Sequence, residues 1–289
     1  MTGKIAILGA NGVYGRHLTP RLVEAGFDVR ALVRRPEAAG VARGCGAEVR
    51  VADIFDAASL RAGLEGCEIG INLATSLPGP SGRGDYDVND RVRRDGAPLW
   101  VEACRQAGVS RIVQQSIAMV NAAGTELADE DTAFRPGENE MATRAIEASI
   151  AMEAAIRESG LDWLILRGGL FYGPGTGFDD DWFARAAAGK LRTPGTGEDY
   201  VSLVHIADMA AATVAAIGAG VSGRALIIAD NRPVQWRELF AYVAEVAGGP
   251  PPATGGRPGF PSFRVSNRRA REALGWAPRY RDYRAGLVR

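Results

Sequence analysis

The sequence predicts an α/β chain: a doubly wound parallel sheet with helices on both faces, then a smaller, less regular C-terminal region. Three observations predict it. Short apolar runs alternate with stretches of helical periodicity, the pattern of right-handed strand–helix–strand crossovers. The first apolar run ends in a glycine-rich turn that opens a helix. Glycine and proline punctuation thickens after about residue 170, a loop signal. The 289 residues, 46% hydrophobic and 24% charged, are enough for one large α/β unit with a smaller attachment.

The elements follow in order. Residues 4–9 (KIAILG) form a short apolar run with the composition of a buried parallel strand. Residues 11–25 are helical and stop at Gly26. Further strands are predicted over 28–33, 47–52, 68–74 and 111–116, with a helix over 90–107 closed by Gly108. A long helix over 138–159 ends at Gly160 and precedes a strand over 161–166. The domain boundary falls near 170, giving units 1–170 and 171–289, and a strand around 226–229 returns to the sheet.

Gly9, Gly12 and Gly15 are spaced G-x-x-G-x-x-G between the first strand and first helix. In that position one glycine permits the tight turn, one admits a pyrophosphate to the backbone, and one packs helix against sheet. Phosphate is favoured at the free N–H groups and positive end of the helix. Asn11, Val13 and Tyr14 fill the same turn, so a dinucleotide is the expected ligand. The residue that selects the cofactor stands about 20 residues further on. A carboxylate there would select NAD; this chain has Arg34, followed by Arg35. Two guanidiniums suit a ribose 2′-phosphate. NADP(H) is therefore the expected cofactor, with NAD(H) second. Asp53, after the third strand, can either accept from the adenine amino group or cap a turn.

These motifs, with the IVQQS strand end at Ser116, the LILR run of 164–167 leading to FYGPG at 171–175, VHIADMA at 204–210 and LGWAPRY at 274–280, resemble the short-chain dehydrogenase/reductase superfamily in its extended and atypical, epimerase/dehydratase-like branches. The resemblance implies a Rossmann-type fold. It also implies that Leu73 and Ala74 flank the dinucleotide, that Ser116 lies near the nicotinamide, and that residues after about 170 shape a substrate pocket. Active members carry Tyr-x-x-x-Lys on the helix after the serine strand, residues four apart on one helix face. Aligning Glu153 with the family's usual glutamate puts Ala145 and Ser149 at those places, and neither lysine, Lys4 or Lys190, follows a tyrosine by four.

The candidates for proton transfer are then Ser116, a poor lone acid, and Tyr172, at the sheet edge where ligands bind. His205 belongs to a motif that reads as structural, with Asp208 as a helix cap. No metal site is expected: Cys45, Cys67 and Cys104 are scattered, and the 179–181 aspartates read as a helix start. With 34 positive and 34 negative residues, no net field draws nucleic acid or an anionic membrane. No run spans a bilayer, and the early strand leaves no signal peptide, so a cytoplasmic monomer or homodimer with a small-molecule substrate is expected. The leading function is NADP(H)-dependent oxidoreduction of a small organic substrate. The alternatives are a sugar-nucleotide epimerase or dehydratase and a non-catalytic NADP(H) sensor.

Overall fold

The computed structural model describes residues 3–78, 84–137 and 139–288. Seven strands form the central sheet: β1 Lys4–Leu8, β2 Val29–Val33, β3 Glu48–Val51, β4 Cys67–Asn72, β5 Arg111–Ile117, β6 Asp162–Gly168 and β7 Arg224–Ile228. Their order is β7-β6-β5-β4-β1-β2-β3, and each neighbouring pair is parallel. The winding reverses at β1, whose neighbours are β2 and β4. Ligands of open α/β sheets bind in the crevice outside the strand ends at such a reversal.

Strand alternation makes the two faces. Ile5 and Ile7 of β1 join one core with Leu18, Leu22 and Met209. Ala6 and Leu8 join the other, with Leu60, Trp100 and Ile156. Helices Val13–Glu24 and Ile206–Gly218 pack on the first face. Every position of β2 is buried, Arg30 included. Arg30 escapes the cost of an unpaired buried charge through Glu48 and the carbonyls of Gly63 and Glu65.

The single helix predicted over 90–107 is two, Tyr86–Arg94 and Gly96–Gln106. Pro98 explains the break, because it has no N–H for the Arg94 carbonyl and its ring crowds that oxygen. The long helix runs Glu140–Arg157; Glu138, where it was expected to begin, lies outside the described residues. The returning strand is β7, hydrogen-bonded to β6.

A third core belongs to the C-terminal part, with Trp182, Trp236, Leu239, Phe240 and Phe263. It also takes Ala118, Ala122, Ala123 and Ala128 from the segment after β5, and 127–128 pairs with 264–265. Helices Phe178–Ala187 and Trp236–Ala247 pack on each other here. Among the described residues no helix is long and apolar enough to cross a membrane.

Candidate functional site

A cleft of about 680 Å³ opens at the exits of β1, β2 and β4, within the range of roughly 300–1,000 Å³ usual for small-molecule sites. Gly9, Asn11, Gly12 and Val13 line its floor. Gly9 has φ +83°, a conformation that glycine adopts freely, and a Cβ there would stand 3.0 Å from the backbone of Leu73 and Ala74. The Gly9 carbonyl accepts from Gly12 N–H at 2.9 Å, closing the turn. A Cβ on Gly15 would come within 2.5 Å of the Ala10 backbone, so only glycine lets the helix lie this close. Gly12 caps Val13–Glu24 without a side-chain partner, which leaves the first N–H groups of that helix free for an anion.

Leu73 and Ala74 form the β4 wall, and Leu73 N–H bonds the Leu8 carbonyl at 2.9 Å. Arg34 and Arg35, both exposed, line the β2 end. Neither has an ion pair among the described residues, so both are free for a phosphate. Gly175, Gly177 and Asp180 line the opposite lip. Arg16 also lines the cleft, a cation the glycine spacing did not single out although it lies one helical turn beyond Gly12. The cradle and free helix end fit a dinucleotide.

Other expected residues are placed differently. Asp53 is half-buried; its carboxylate accepts from Phe55 N–H at 2.9 Å, a turn role. The Tyr14 side chain points away from the turn, buried between helices and hydrogen-bonded to Thr213. Burial pushes its phenol well above the ordinary range. Only the Tyr14 backbone remains at the helix start.

The structure brings neither Ser116 nor Tyr172 to the cleft. Ser116, 2% exposed, donates its hydroxyl to Glu153 Oε1 at 2.6 Å. Glu153 is held by Arg167 through bonds of 2.9 and 2.6 Å, and Arg167 continues to Asn121 Oδ1 and the Glu130 carbonyl. This buried network ties the end of β5 to β6 and to the long helix, and it engages the serine's single proton. Tyr172 is 0% exposed, edge-on to His205, and burial raises its phenol pKa far above the ordinary value.

On the long helix, the Ala145 carbonyl accepts from Ser149 Oγ at 2.8 Å and from buried Arg93 at 3.0 Å. No phenol or ammonium stands at either position. His205 itself caps Ile206–Gly218, its Nδ1 accepting from Ala207 N–H at 3.2 Å, and burial lowers its pKa to about 4. Asp208, expected as the cap, instead accepts from the N–H groups of Arg279 and Tyr280 at 3.1 and 2.9 Å. It anchors the C-terminal segment.

A second cavity, of about 930 Å³, lies between the start of the long helix and the loops 123–137 and 257–262. Phe134, Phe260, Met141 and Ile146 are among its walls, with Arg135, Glu140, Asp199 and Arg257. Sequence reasoning missed it because its walls come from segments far apart in the chain.

The family model described as NAD(P)H-binding matches residues 9–217. A 3-diazoavenalumate denitrifying reductase of Streptomyces sp is 32% identical, over 99% of each chain. A ceramide reductase of Caulobacter vibrioides is 30% identical over 86% of this chain and 72% of its own length. The UDP-glucose 4-epimerase of Thermotoga maritima, solved with UDP-glucose, superposes with TM-score 0.80 at 20% identity, over 98% of this chain and 96% of that one. The last likeness is one of fold.

Proposed function

Because the chain belongs to the NAD(P)H-binding family, within the extended short-chain dehydrogenase/reductase superfamily, we propose that it is an NADP(H)-dependent reductase whose acceptor takes hydride without an acid from the protein. The observation that carries this is the cleft itself, a glycine cradle at the sheet reversal with Arg34 and Arg35 at the β2 exit. The reductase relatives support the reaction class.

In this reading Gly9, Gly12 and Gly15 admit the diphosphate to the helix start. Leu73 and Ala74 form an apolar wall, and the arginines take the 2′-phosphate by charge-assisted hydrogen bonds. The bound cofactor supplies hydride. Reducing a simple ketone also demands a proton as alkoxide forms, and Ala145, Ser149, Ser116 and Tyr172 do not provide one. An acceptor that delocalises the incoming electrons, such as an enone, or one that loses nitrogen, as the Streptomyces relative's name describes, needs no such group. Ser116 is then a positioning residue for β5.

The test is NADPH oxidation with three acceptors: a simple ketone, an enone and an aryl diazonium salt. Turnover of the enone or the diazonium salt, with the ketone inert, is expected. Ketone reduction at a comparable rate would contradict the acid-free reading. Tight NADPH binding with no oxidation by any acceptor would favour the sensor function.

A further inference from the structure

We propose that Arg16 is the diphosphate-binding cation of the cofactor cleft, holding the part of the ligand that NADPH and NADH have in common; this rests on the cofactor part of the reductase reading. Among the described residues the cleft lining carries three guanidiniums, Arg16, Arg34 and Arg35, against one acid, Asp180. The guanidiniums stand at two different places. Arg34 and Arg35 follow β2 at its exit, whereas Arg16 belongs to the first turn of helix Val13–Glu24, which the glycine turn opens.

The Arg16 N–H bonds the Gly12 carbonyl at 3.0 Å, so Arg16 stands one helical turn beyond the cap. Helical side chains lean back toward the N-terminus, which carries this guanidinium toward the free N–H groups at that end. The opposite lip of the cleft fixes its place. A Cβ on Gly175 would lie 3.4 Å from Arg16 Nη2 and 4.0 Å from Val13 Cγ1. Gly175 therefore lies over the helix start, with the guanidinium against it. The lip is tied to the same helix, because His17 Nε2 donates to the Pro174 carbonyl at 2.9 Å.

Arg16 is exposed, and its side chain has no hydrogen bond or ion pair among the described residues. Asp180, on the far lip, is not paired with it. A guanidinium with its donors unused, beside a free helix end, meets the needs of a doubly charged diphosphate. Backbone N–H groups take some of the phosphate oxygens, and the guanidinium takes others by charge-assisted hydrogen bonds. A ribose 2′-phosphate falls instead to the β2 exit. Arg16 thus sets affinity for both cofactors, and Arg34 sets the choice between them.

The test uses ligands that separate the two groups of cations: NADPH, NADH, ADP-ribose (a diphosphate without the 2′-phosphate) and 2′-AMP (a 2′-phosphate without the diphosphate). Wild type, Arg16→Gln and Arg16→Lys are titrated calorimetrically, and Tm is measured on the same samples. Arg16→Gln should weaken NADPH, NADH and ADP-ribose by one common factor, about tenfold or more. Its Tm, its 2′-AMP affinity and its ratio of NADPH to NADH affinity should match the wild type. Arg16→Lys should recover most of the loss, because a point charge also binds phosphate. A loss confined to NADPH and 2′-AMP would make Arg16 a reader of the 2′-phosphate and overturn the proposal. So would wild-type affinity of Arg16→Gln for every ligand. A wild-type protein that binds neither dinucleotide would instead count against the cofactor reading, and the proposal would fall with it.

Discussion

The two cavities differ in how they are built. The cofactor cleft is made largely by backbone: a turn at Gly9, a free helix end at Gly12, and three strand exits within one sheet. The second cavity is made by side chains from segments more than a hundred residues apart, joined by contacts such as Asn139 to Pro258. Backbone sites are set by local rules of spacing and recur on unrelated sequences. Side-chain sites carry the individuality of a protein. The buried Ser116–Glu153–Arg167 network ties the ends of β5 and β6 to the long helix.

The sharpest way to break this arrangement is to remove the carboxylate of that network. Glu153→Ala leaves Arg167 buried without its partner, and breaking such a pair costs about 3–5 kcal/mol. Urea unfolding should show that loss; a change below about 1 kcal/mol would mean that the network does not hold the sheet end to the long helix.

The next largest effect falls on the cleft. In Gly15→Ala the new methyl meets the Ala10 backbone at 2.5 Å, and overpacking of this kind costs about 1–3 kcal/mol. Stability and NADPH affinity should both fall. Unchanged NADPH affinity would separate the turn from the ligand.

These unequal structures explain what could be read from sequence. The sheet strands and the glycine turn were legible because short continuous apolar runs and glycine spacing are local signals. Helix Trp236–Ala247 carries Trp236, Leu239, Phe240, Val243 and Ala244 on one face, a helical period flanked by dense glycine and proline signals. The roles of Ser116 and Tyr172 were not legible. Their position along the chain resembles that of reactive residues, but strand alternation turns Ser116 toward Glu153. Tyr172 is packed beneath His205 and the C-terminal segment. Only the fold decides which way a side chain points.

A third prediction concerns the C-terminal region. Burial pushes the Asp230 carboxyl up from 3.8 to about 8, with Asp282 and Asp208 adding to the effect. The native state thus keeps a proton that the unfolded chain releases above about pH 4. Stability from this group is full below pH 4 and is lost as pH rises toward about 8. Asp230→Asn should flatten the pH dependence of Tm over that window. An unchanged slope would show that Asp230 titrates normally.

On turnover, the smallest effect is expected at Ser116. Ser116→Ala removes one hydrogen bond to a carboxylate still held by Arg167, at a stability cost of about 1.5–3 kcal/mol. Any kcat/KM should fall less than about tenfold, whereas a loss of 100-fold or more would restore a general acid–base role.

Selection of NADP(H) at the β2 exit is tested most directly by calorimetric titration of NADPH and NADH. Wild type should bind NADPH at least about tenfold tighter than NADH. Arg34→Ala should lose about 1.5–3 kcal/mol for NADPH, roughly one to two decades in affinity, with NADH unchanged. Equal affinities of the wild type for the two cofactors would contradict the account.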